Sequence, residues 1–306
     1  MFVGDIEKMY RMIWVHPDDR NLQQILWRTS PDESFSEFQL NTITYGTAPA
    51  SFIAQKCLVT IADSCENEMP EVARAIKENF YMDDLNVGTE SEEKLIELGK
   101  KIRAILLKYG FSLRKFASNS RAFLDSIPSE LKAASSDDKQ GELAVLGVKW
   151  CPERDEIGVC ENIECCETNE NVLRRIALSE ISKTFDPLGL FAPVLLTGKI
   201  LLQEFWKEGK DWDDLTYDEI NQKFCRYVEN TKALCNIRIP RPICEGELMS
   251  IFAFGDASGK AYCAAIYTRY LKADGSYSCR LICSKTRVAP MKEVTIPKLE
   301  LKRLSW

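Results

Sequence analysis

The sequence predicts an α+β protein in which antiparallel strands and helices occupy separate stretches of the chain. Strand-like segments flank a short acidic hairpin in the first half, and residues 172–236 have a helical pattern. Three strand-like segments then follow between residues 250 and 288. Runs of helices followed by runs of strands are typical of this class.

The first part of the chain is predicted to begin with a strand and to continue into two helices. Residues 2–15 are rich in aromatic and β-branched residues, and residues 25–28 and 38–46 alternate in the strand period. We expect helices after Pro49 and over residues 70–79, because proline is favoured in a first helical turn.

The stretch FYMDDLNVG, residues 80–88, predicts a hairpin with two adjacent aspartates at its tip. A helix capped by Ser91 is expected to run to Tyr109. Its apolar face comprises Leu95, Leu98, Ile102, Ile105 and Leu106. The stretches GFSLRKFASN and AVLGVKW predict two further strands, separated by a polar loop over residues 129–142.

A change in composition divides the predicted domains. Residues 151–171 are acidic and poorly periodic, and a proline-rich linker, IRIPRPICEGE, follows the helical stretch. We therefore predict a first domain over residues 1–150, a helical segment over 151–245 and a third segment over 246–306. The last of these has a strand, turn, strand, strand pattern before a helix begins near PKLEL.

Composition argues against several classes of function. The 306 residues carry a net charge of −6, which gives no electrostatic support for nucleic-acid binding, although a local basic groove remains compatible with it. The only histidine, His16, lies in a polar HPDDR turn, which disfavours Ser-His-Asp, Cys-His and zinc chemistry.

The cysteines and the apolar runs predict an intracellular protein. The chain has 12 cysteines but no CxxC spacing, and its N-terminus carries charges where a signal peptide needs an apolar core. The longest apolar run, residues 188–202, is too short for a membrane span and contains a lysine. We interpret the thiols as reduced and mostly buried.

The adjacent carboxylates of Asp83 and Asp84 raise the question of what offsets their repulsion. A solvated turn is the simplest answer for two neighbouring aspartates. The apolar flanks favour a second answer, a hairpin tip that holds a divalent cation. Asp5, at the end of the first strand, supplies a third carboxylate of the kind that two-metal nucleotidyl transfer requires.

At this point the sequence resembles a known family. The stretches DIEKMY, YGTAPASF, YMDDL, GFSLRKFASN and LGVKW occur in the order of the palm motifs of reverse transcriptases. Together with SKTFDPLGLFAPVLLTGKILLQEFW, they resemble the Pol polyprotein of BEL/Pao-type LTR retrotransposons. The resemblance implies a palm of the DNA/RNA polymerase superfamily, a helical thumb or connection and the start of an RNase H-like domain.

The resemblance implies an RNA-directed DNA polymerase, a nucleotidyltransferase with two Mg²⁺ ions, or Mn²⁺, held by Asp5, Asp83 and Asp84. It places Tyr10 at the gate that excludes a 2′-hydroxyl, with a half-buried strand aromatic as the alternative. It also places Gly46 against the nucleotide or template, and a simple turn is the alternative there. Tyr81 and Met82, in the YMDD stretch, join the substrate-binding residues.

Three further residues of the palm motifs have implied roles. Lys115 matches a basic residue that protonates pyrophosphate, and a solvated lysine is the equal alternative. Lys149 and Trp150 match the strand that grips the primer end, while core packing is the alternative for Trp150.

The last 60 residues imply a second metal site by the same resemblance. Asp256 and Glu300 match the first two acidic positions of an RNase H domain. In the polyproteins that the chain resembles, the region from about residue 150 to residue 300 is also described as a Pao retrotransposon peptidase. An aspartic peptidase needs Asp-Thr/Ser-Gly, whereas the chain has only DASG at residues 256–259.

The implied partners are an RNA or DNA template-primer, dNTPs and other Pol segments, with no membrane. The implied location is the cytoplasm, within virus-like particles, or the nucleus. Because the matched stretches begin just before Asp5, we expect the fingers to be missing and residues 1–306 to be inactive alone. A non-catalytic remnant or nucleic-acid-binding scaffold from a decayed element is the alternative.

Overall fold

The protein divides into two compact units, residues 1–139 and residues 140–306. The computed structural model describes residues 1–133, 142–159, 172–207, 211–214, 218–241, 246–292 and 294–303. Within these ranges, no helix has both the length and the apolar composition that crossing a membrane requires. The eight cysteines that they include are all free thiols, but only Cys65 and Cys151 are buried, so the prediction of mostly buried thiols is wrong for the described residues.

The first unit is built on a four-stranded antiparallel sheet with the order β4-β5-β1-β6. A separate hairpin, β2-β3, is exposed along its whole length. The elements in chain order are β1 (Phe2–Ile6), β2 (Gln24–Trp27), β3 (Ser36–Gln39), α1 (Ala50–Cys65), α2 (Pro70–Glu78), β4 (Phe80–Tyr81), β5 (Asp84–Val87), α3 (Glu92–Lys108), β6 (Leu113–Ser118) and α4 (Arg121–Asp125).

The structure forms α3 as its sequence predicts. The Ser91 hydroxyl accepts a hydrogen bond from the Lys94 backbone N–H at 3.3 Å, which satisfies one free donor of the first turn. Leu95, Ile102 and Leu106 recur at helical spacing and are buried in the core of the first unit.

Aromatic packing holds β1 in this core. The ring of Phe2 is fully buried and stacks on Phe123 of α4, with the ring centroids 4.5 Å apart. Phe116 of β6 packs at 5.9 Å from Phe2. Because β1 is a central strand, this cluster fixes the strand on which Asp5 lies.

The second unit contains two antiparallel sheets and four helices within its described residues. The sheets have the orders β10-β9-β8-β7 and β11-β12-β13. The elements are β7 (Leu143–Val145), β8 (Val148–Cys151), β9 (Glu156–Val159), α5 (Arg174–Lys183), α6 (Ala192–Lys207), α7 (Asp218–Leu234), β10 (Ile239–Pro240), β11 (Glu247–Ala257), β12 (Ala261–Leu271), β13 (Tyr277–Val288) and α8 (Ile296–Arg303).

The structure divides the predicted strand AVLGVKW into a hairpin. Residues Leu146 and Gly147, with φ values of 49° and 81°, form the turn between β7 and β8. Leucine is an unusual residue for a positive φ, so its presence gave no turn signal.

The DPLG stretch forms the turn that leads into α6. The Asp186 carboxylate accepts hydrogen bonds from the backbone N–H groups of Leu190 and Phe191, at 2.9 and 2.8 Å. The Ser284 N–H donates to the Leu188 carbonyl at 2.8 Å. The turn is thus bonded to β13.

Tyr227 of α7 packs its ring against Gly198 of α6, and its hydroxyl is buried with no hydrogen-bond partner among the described residues. Tyr227→Phe removes an unpaired polar group, so we expect it to leave the free energy of unfolding at pH 7 unchanged or to raise it by about 1 kcal/mol. Burial also raises the pKa of Tyr227 to about 12.

The raised pKa gives Tyr227 a pH dependence. Above pH 10 the unfolded chain loses this proton first, so stability falls as pH rises towards 12, by up to about 1.4 kcal/mol per pH unit. Urea denaturation of wild type and Tyr227→Phe at pH 7 and pH 11 measures the difference, with the exposed Tyr277→Phe as control. A loss of several kcal/mol at pH 7 in Tyr227→Phe would contradict the unpaired hydroxyl.

Candidate functional site

Asp5 and Asp84 lie directly opposite each other on the paired strands β1 and β5. The Ile6 N–H donates to the Asp83 carbonyl at 3.0 Å, which fixes the hairpin turn against the end of β1. The turn consists of Met82 and Asp83, so the tip differs by one residue from the predicted pair: Asp84 already belongs to β5. The structure therefore brings the three predicted carboxylates to one end of adjacent strands.

The negative charge of this group is only partly compensated. Burial raises the pKa of Asp84, and the charges of Asp83 and Asp5 raise it further, while Lys115 opposes the shift. The Lys115 ammonium donates to an Asp5 carboxylate oxygen at 2.5 Å. That hydrogen bond is the main reason that the pKa of Lys115 is raised.

A β-bulge directs Lys115 towards Asp5. The pairing of β1 with β6 shifts register between Val3 and Asp5, so two residues of β6, Lys115 and Phe116, lie opposite the single residue Gly4. Lys115 has a φ of 53°. A Cβ at Gly4 would lie 3.2 Å from the ring of Phe116, so glycine leaves room for the bulged strand.

Backbone strain is concentrated around the carboxylates. In the described part of the first unit, the non-glycine residues with positive φ are Lys8, Met82 and Lys115. Lys8 follows β1, Met82 is in the hairpin turn and Lys115 is in the bulge. Strained residues of this kind collect at binding and catalytic sites, because surrounding structure must hold them.

The donor set fits a divalent cation in its chemistry. Carboxylate oxygens are the ligands that Mg²⁺ prefers. The pKa of Asp84 is raised first by burial and second by the charges of Asp83 and Asp5, and a cation would relieve that repulsion. Within the described ranges, however, no three His, Cys, Asp or Glu side chains are grouped closely enough to hold a metal ion as they stand. The Lys115 ammonium already contacts one of the carboxylates, that of Asp5.

Tyr10 and Gly46 lie in one neighbourhood of the first unit. Tyr10 is in a short 3₁₀ turn after β1, and its ring centroid is 4.9 Å from that of Tyr45. Its hydroxyl lies 3.3 Å from the Ser51 hydroxyl at the start of α1. Gly46 has a φ of 82°, with open space where a Cβ would be. Sequence reasoning did not single out Tyr45, although it directly precedes Gly46 in the YGTAPAS stretch.

The other two residues of the YMDD stretch differ in their surroundings. Tyr81 is exposed, whereas the Met82 sulfur accepts a hydrogen bond from the Gln55 side chain of α1 at 3.2 Å. This contact links the hairpin to the helix that carries Ser51. Gln55 gave no signal in the sequence.

Lys149 and Trp150 belong to β8 of the second unit. Trp150 is buried, and its indole N–H donates to the Asp155 carboxylate at 3.0 Å, which favours the packing role. The Lys149 ammonium lies 3.5 Å from the Glu142 carboxylate.

Asp256 and Glu300 lie on neighbouring elements of the second unit. Asp256 is exposed on β11, and Glu300 is on α8, which packs on β11. Leu299, next to Glu300, belongs to the same apolar cluster as Tyr262 and Ala257, the neighbour of Asp256. The structure thus places the two elements in contact at these positions.

Comparison with protein families identifies the class of both parts of the chain. Residues 1–147 match the family described as reverse transcriptase (RNA-dependent DNA polymerase). Residues 173–305 match the Pao retrotransposon-like RNaseH-like domain. A search of curated proteins finds no match. The chain therefore carries a reverse transcriptase domain and an RNase H-like domain.

The second of these matches, taken together with the first, gives the particular family. The chain belongs to the Pol proteins of Pao-type retrotransposons. The second match begins at residue 173, so it includes α5–α7 as well as the segment predicted from residue 246 onwards. The division of the chain at residues 150 and 245 remains a prediction.

Proposed function

We propose that the first unit is the palm of an RNA-directed DNA polymerase, with Asp5, Asp83 and Asp84 as the ligands of two Mg²⁺ or Mn²⁺ ions. The observation that carries this proposal is the pairing of Asp5 with Asp84, beside a hairpin turn that holds Asp83. When bound, such ions activate the primer 3′-hydroxyl and neutralise charge on the leaving pyrophosphate.

The residues of the chain supply positioning and charge. The β1-β5 pairing and the hairpin turn hold the carboxylates at one end of the sheet. Tyr10 is held by contacts with Tyr45 and Ser51, and its proposed role is to contact the sugar of an incoming dNTP and to exclude a 2′-hydroxyl. Gly46 lets the backbone approach the nucleotide or the template, and Tyr81 offers an exposed ring to it.

Lys115 is the proposed proton donor of this scheme. Its ammonium carries a proton and lies beside the carboxylates, so it is placed to donate that proton to the leaving pyrophosphate.

The proposed substrates of the site are a template-primer of RNA or DNA and dNTPs, and its proposed protein partners are further Pol segments. The proposed location of the protein is the cytoplasm, within virus-like particles, or the nucleus.

The second unit is proposed to contribute Asp256 and Glu300 to an RNase H-like metal site. The packing of α8 on β11 supports this pairing, because two-metal hydrolysis needs ligands from both elements. Lys149 and Trp150 are proposed to support the primer end, with Trp150 acting through the packing of β8.

Manganese binding tests the palm site directly. We expect residues 1–306 to bind Mn²⁺, as measured by electron paramagnetic resonance of the free ion. Asp83→Asn should weaken the binding at least about tenfold, because it removes one charged ligand of a hard cation. Asp125→Asn, which changes an exposed aspartate of α4, is the matched control and should bind like wild type. Equal binding by Asp83→Asn would contradict the site.

Primer extension on an RNA template decides whether residues 1–306 are sufficient for activity. The sequence predicts little or no extension. Robust Mg²⁺-dependent extension that Asp83→Asn abolishes would show that expectation wrong and would support the proposed chemistry. Binding of the template-primer without any metal dependence would favour the nucleic-acid-binding scaffold.

A further inference from the structure

We propose that Lys115 is a displaceable counterion of the palm carboxylates, which occupies Asp5 in the metal-free protein and leaves it when a divalent cation binds. This inference rests on the proposed metal site. It differs from the proton-donor role, because it concerns what the ammonium does before any substrate is present.

The first support is the contact itself. The Lys115 ammonium lies 2.5 Å from an Asp5 carboxylate oxygen, at the strand end where Asp84 faces Asp5. It therefore occupies one of the oxygens that the proposed metal ions require.

The second support is the backbone that produces the contact. In a regular β6, residues 114 and 115 would point to opposite faces of the sheet. Arg114 pairs with Asp5 in register, yet its side chain forms an ion pair with Glu7 at 2.6 Å. The bulge and the φ of 53° instead direct Lys115 onto Asp5. A bulge changes the direction of a side chain, and a non-glycine residue at positive φ persists only where the surrounding structure holds it. Both features indicate that the contact between Lys115 and Asp5 is a fixed part of the fold.

The third support is the difference in exposure of the two groups. The Lys115 side chain is 73% exposed, whereas that of Asp5 is 20% exposed. The lysine can thus swing into solvent with little loss of packing, while the less exposed carboxylate stays in place. In such an ion pair, another cation can replace the exposed ammonium on the carboxylate.

The exchange has a predictable energetic consequence. Without a metal ion, Lys115 offsets the repulsion among Asp5, Asp83 and Asp84, and so stabilises the folded chain. A divalent cation must compete with this ammonium, which lowers the apparent affinity of the site for metal. Once released, the ammonium is free to turn towards a phosphate group.

The test compares Mn²⁺ binding and thermal stability of residues 1–306 as wild type and as Lys115→Met. We expect Lys115→Met to bind Mn²⁺ roughly fivefold more tightly, the factor that corresponds to an exposed ion pair. Its melting temperature should be lower than that of wild type without metal and should approach it at saturating Mn²⁺. Lys101→Met is the control, because it removes ion pairs with Glu71 and Glu97, which involve none of the proposed metal ligands. It should change neither the affinity for Mn²⁺ nor the rise in melting temperature that Mn²⁺ produces.

Two further variants keep the test decisive if Lys115→Met folds poorly. Lys115→Gly relieves the positive φ and removes the charge, so it should also bind Mn²⁺ more tightly. Lys115→Arg keeps the charge and should bind like wild type. Unchanged or weaker binding in the variants without charge, together with loss of binding in Asp83→Asn, would overturn the counterion and leave the metal site standing. Absence of Mn²⁺ binding in wild type and Lys115→Met alike would overturn the metal site and the counterion together.

Discussion

Gly189→Ala is expected to lower the free energy of unfolding of the second unit by about 3–4 kcal/mol. Gly189 has a φ of 70°, and a Cβ placed on it would lie 1.9 Å from the Ser284 carbonyl oxygen. The Ser284 hydroxyl also donates to the Gly189 carbonyl at 2.5 Å. The added methyl group must therefore push apart the turn before α6 and strand β13.

Two other glycines of the same unit separate strain from collision. Gly275 has a φ of 81° but open space around it, so Gly275→Ala should cost about 1–2 kcal/mol from strain alone. Gly259 has open space and no positive φ, so Gly259→Ala should change stability by less than about 0.5 kcal/mol. Urea denaturation followed by circular dichroism measures the series, and equal costs at Gly189 and Gly275 would contradict the collision with Ser284.

The regular elements of the fold were predictable because their signals are local. The apolar spacing of α3, its Ser91 cap and the proline at the start of α2 each act within one or two turns of helix. The paired strands β11, β12 and β13 show the same locality, since their turns carry glycine and serine.

The irregular features were not predictable, because they depend on distant partners. The bulge of β6 exists only through its register with β1, and nothing in the stretch LRKF marks Lys115 as the bulged residue. The turn at Leu146 and Gly147 likewise has a leucine where an asparagine or glycine would have given a signal.

The candidate site shows the same division. The positions of Asp5, Asp83 and Asp84 at strand ends followed from the sequence, and the structure pairs their strands. The side chains around these aspartates could not be predicted from the sequence, because Lys115 and Gln55 reach the site from separate elements. A sequence motif suggests candidate ligands, but it does not show which side chains contact them in the folded chain.

Phe2→Ala is expected to destabilise the first unit by about 3–5 kcal/mol. Phe2 is 0% exposed, and its ring stacks on Phe123 and packs against Phe116. Truncation removes this aromatic surface and leaves a cavity beneath β1. Because β1 also carries Asp5, the same change should weaken Mn²⁺ binding by the remaining folded protein.

A matched control separates burial from loss of an aromatic ring. Phe52 of α1 is 71% exposed, so Phe52→Ala should change the free energy of unfolding by no more than about 0.5 kcal/mol. The midpoints of urea denaturation for the two variants and wild type give the comparison. If Phe2→Ala unfolds at the same urea concentration as Phe52→Ala, the aromatic cluster does not hold β1. The position of Asp5 opposite Asp84 would then depend on the backbone pairing of β1 with β5 alone, without support from the aromatic cluster beneath β1.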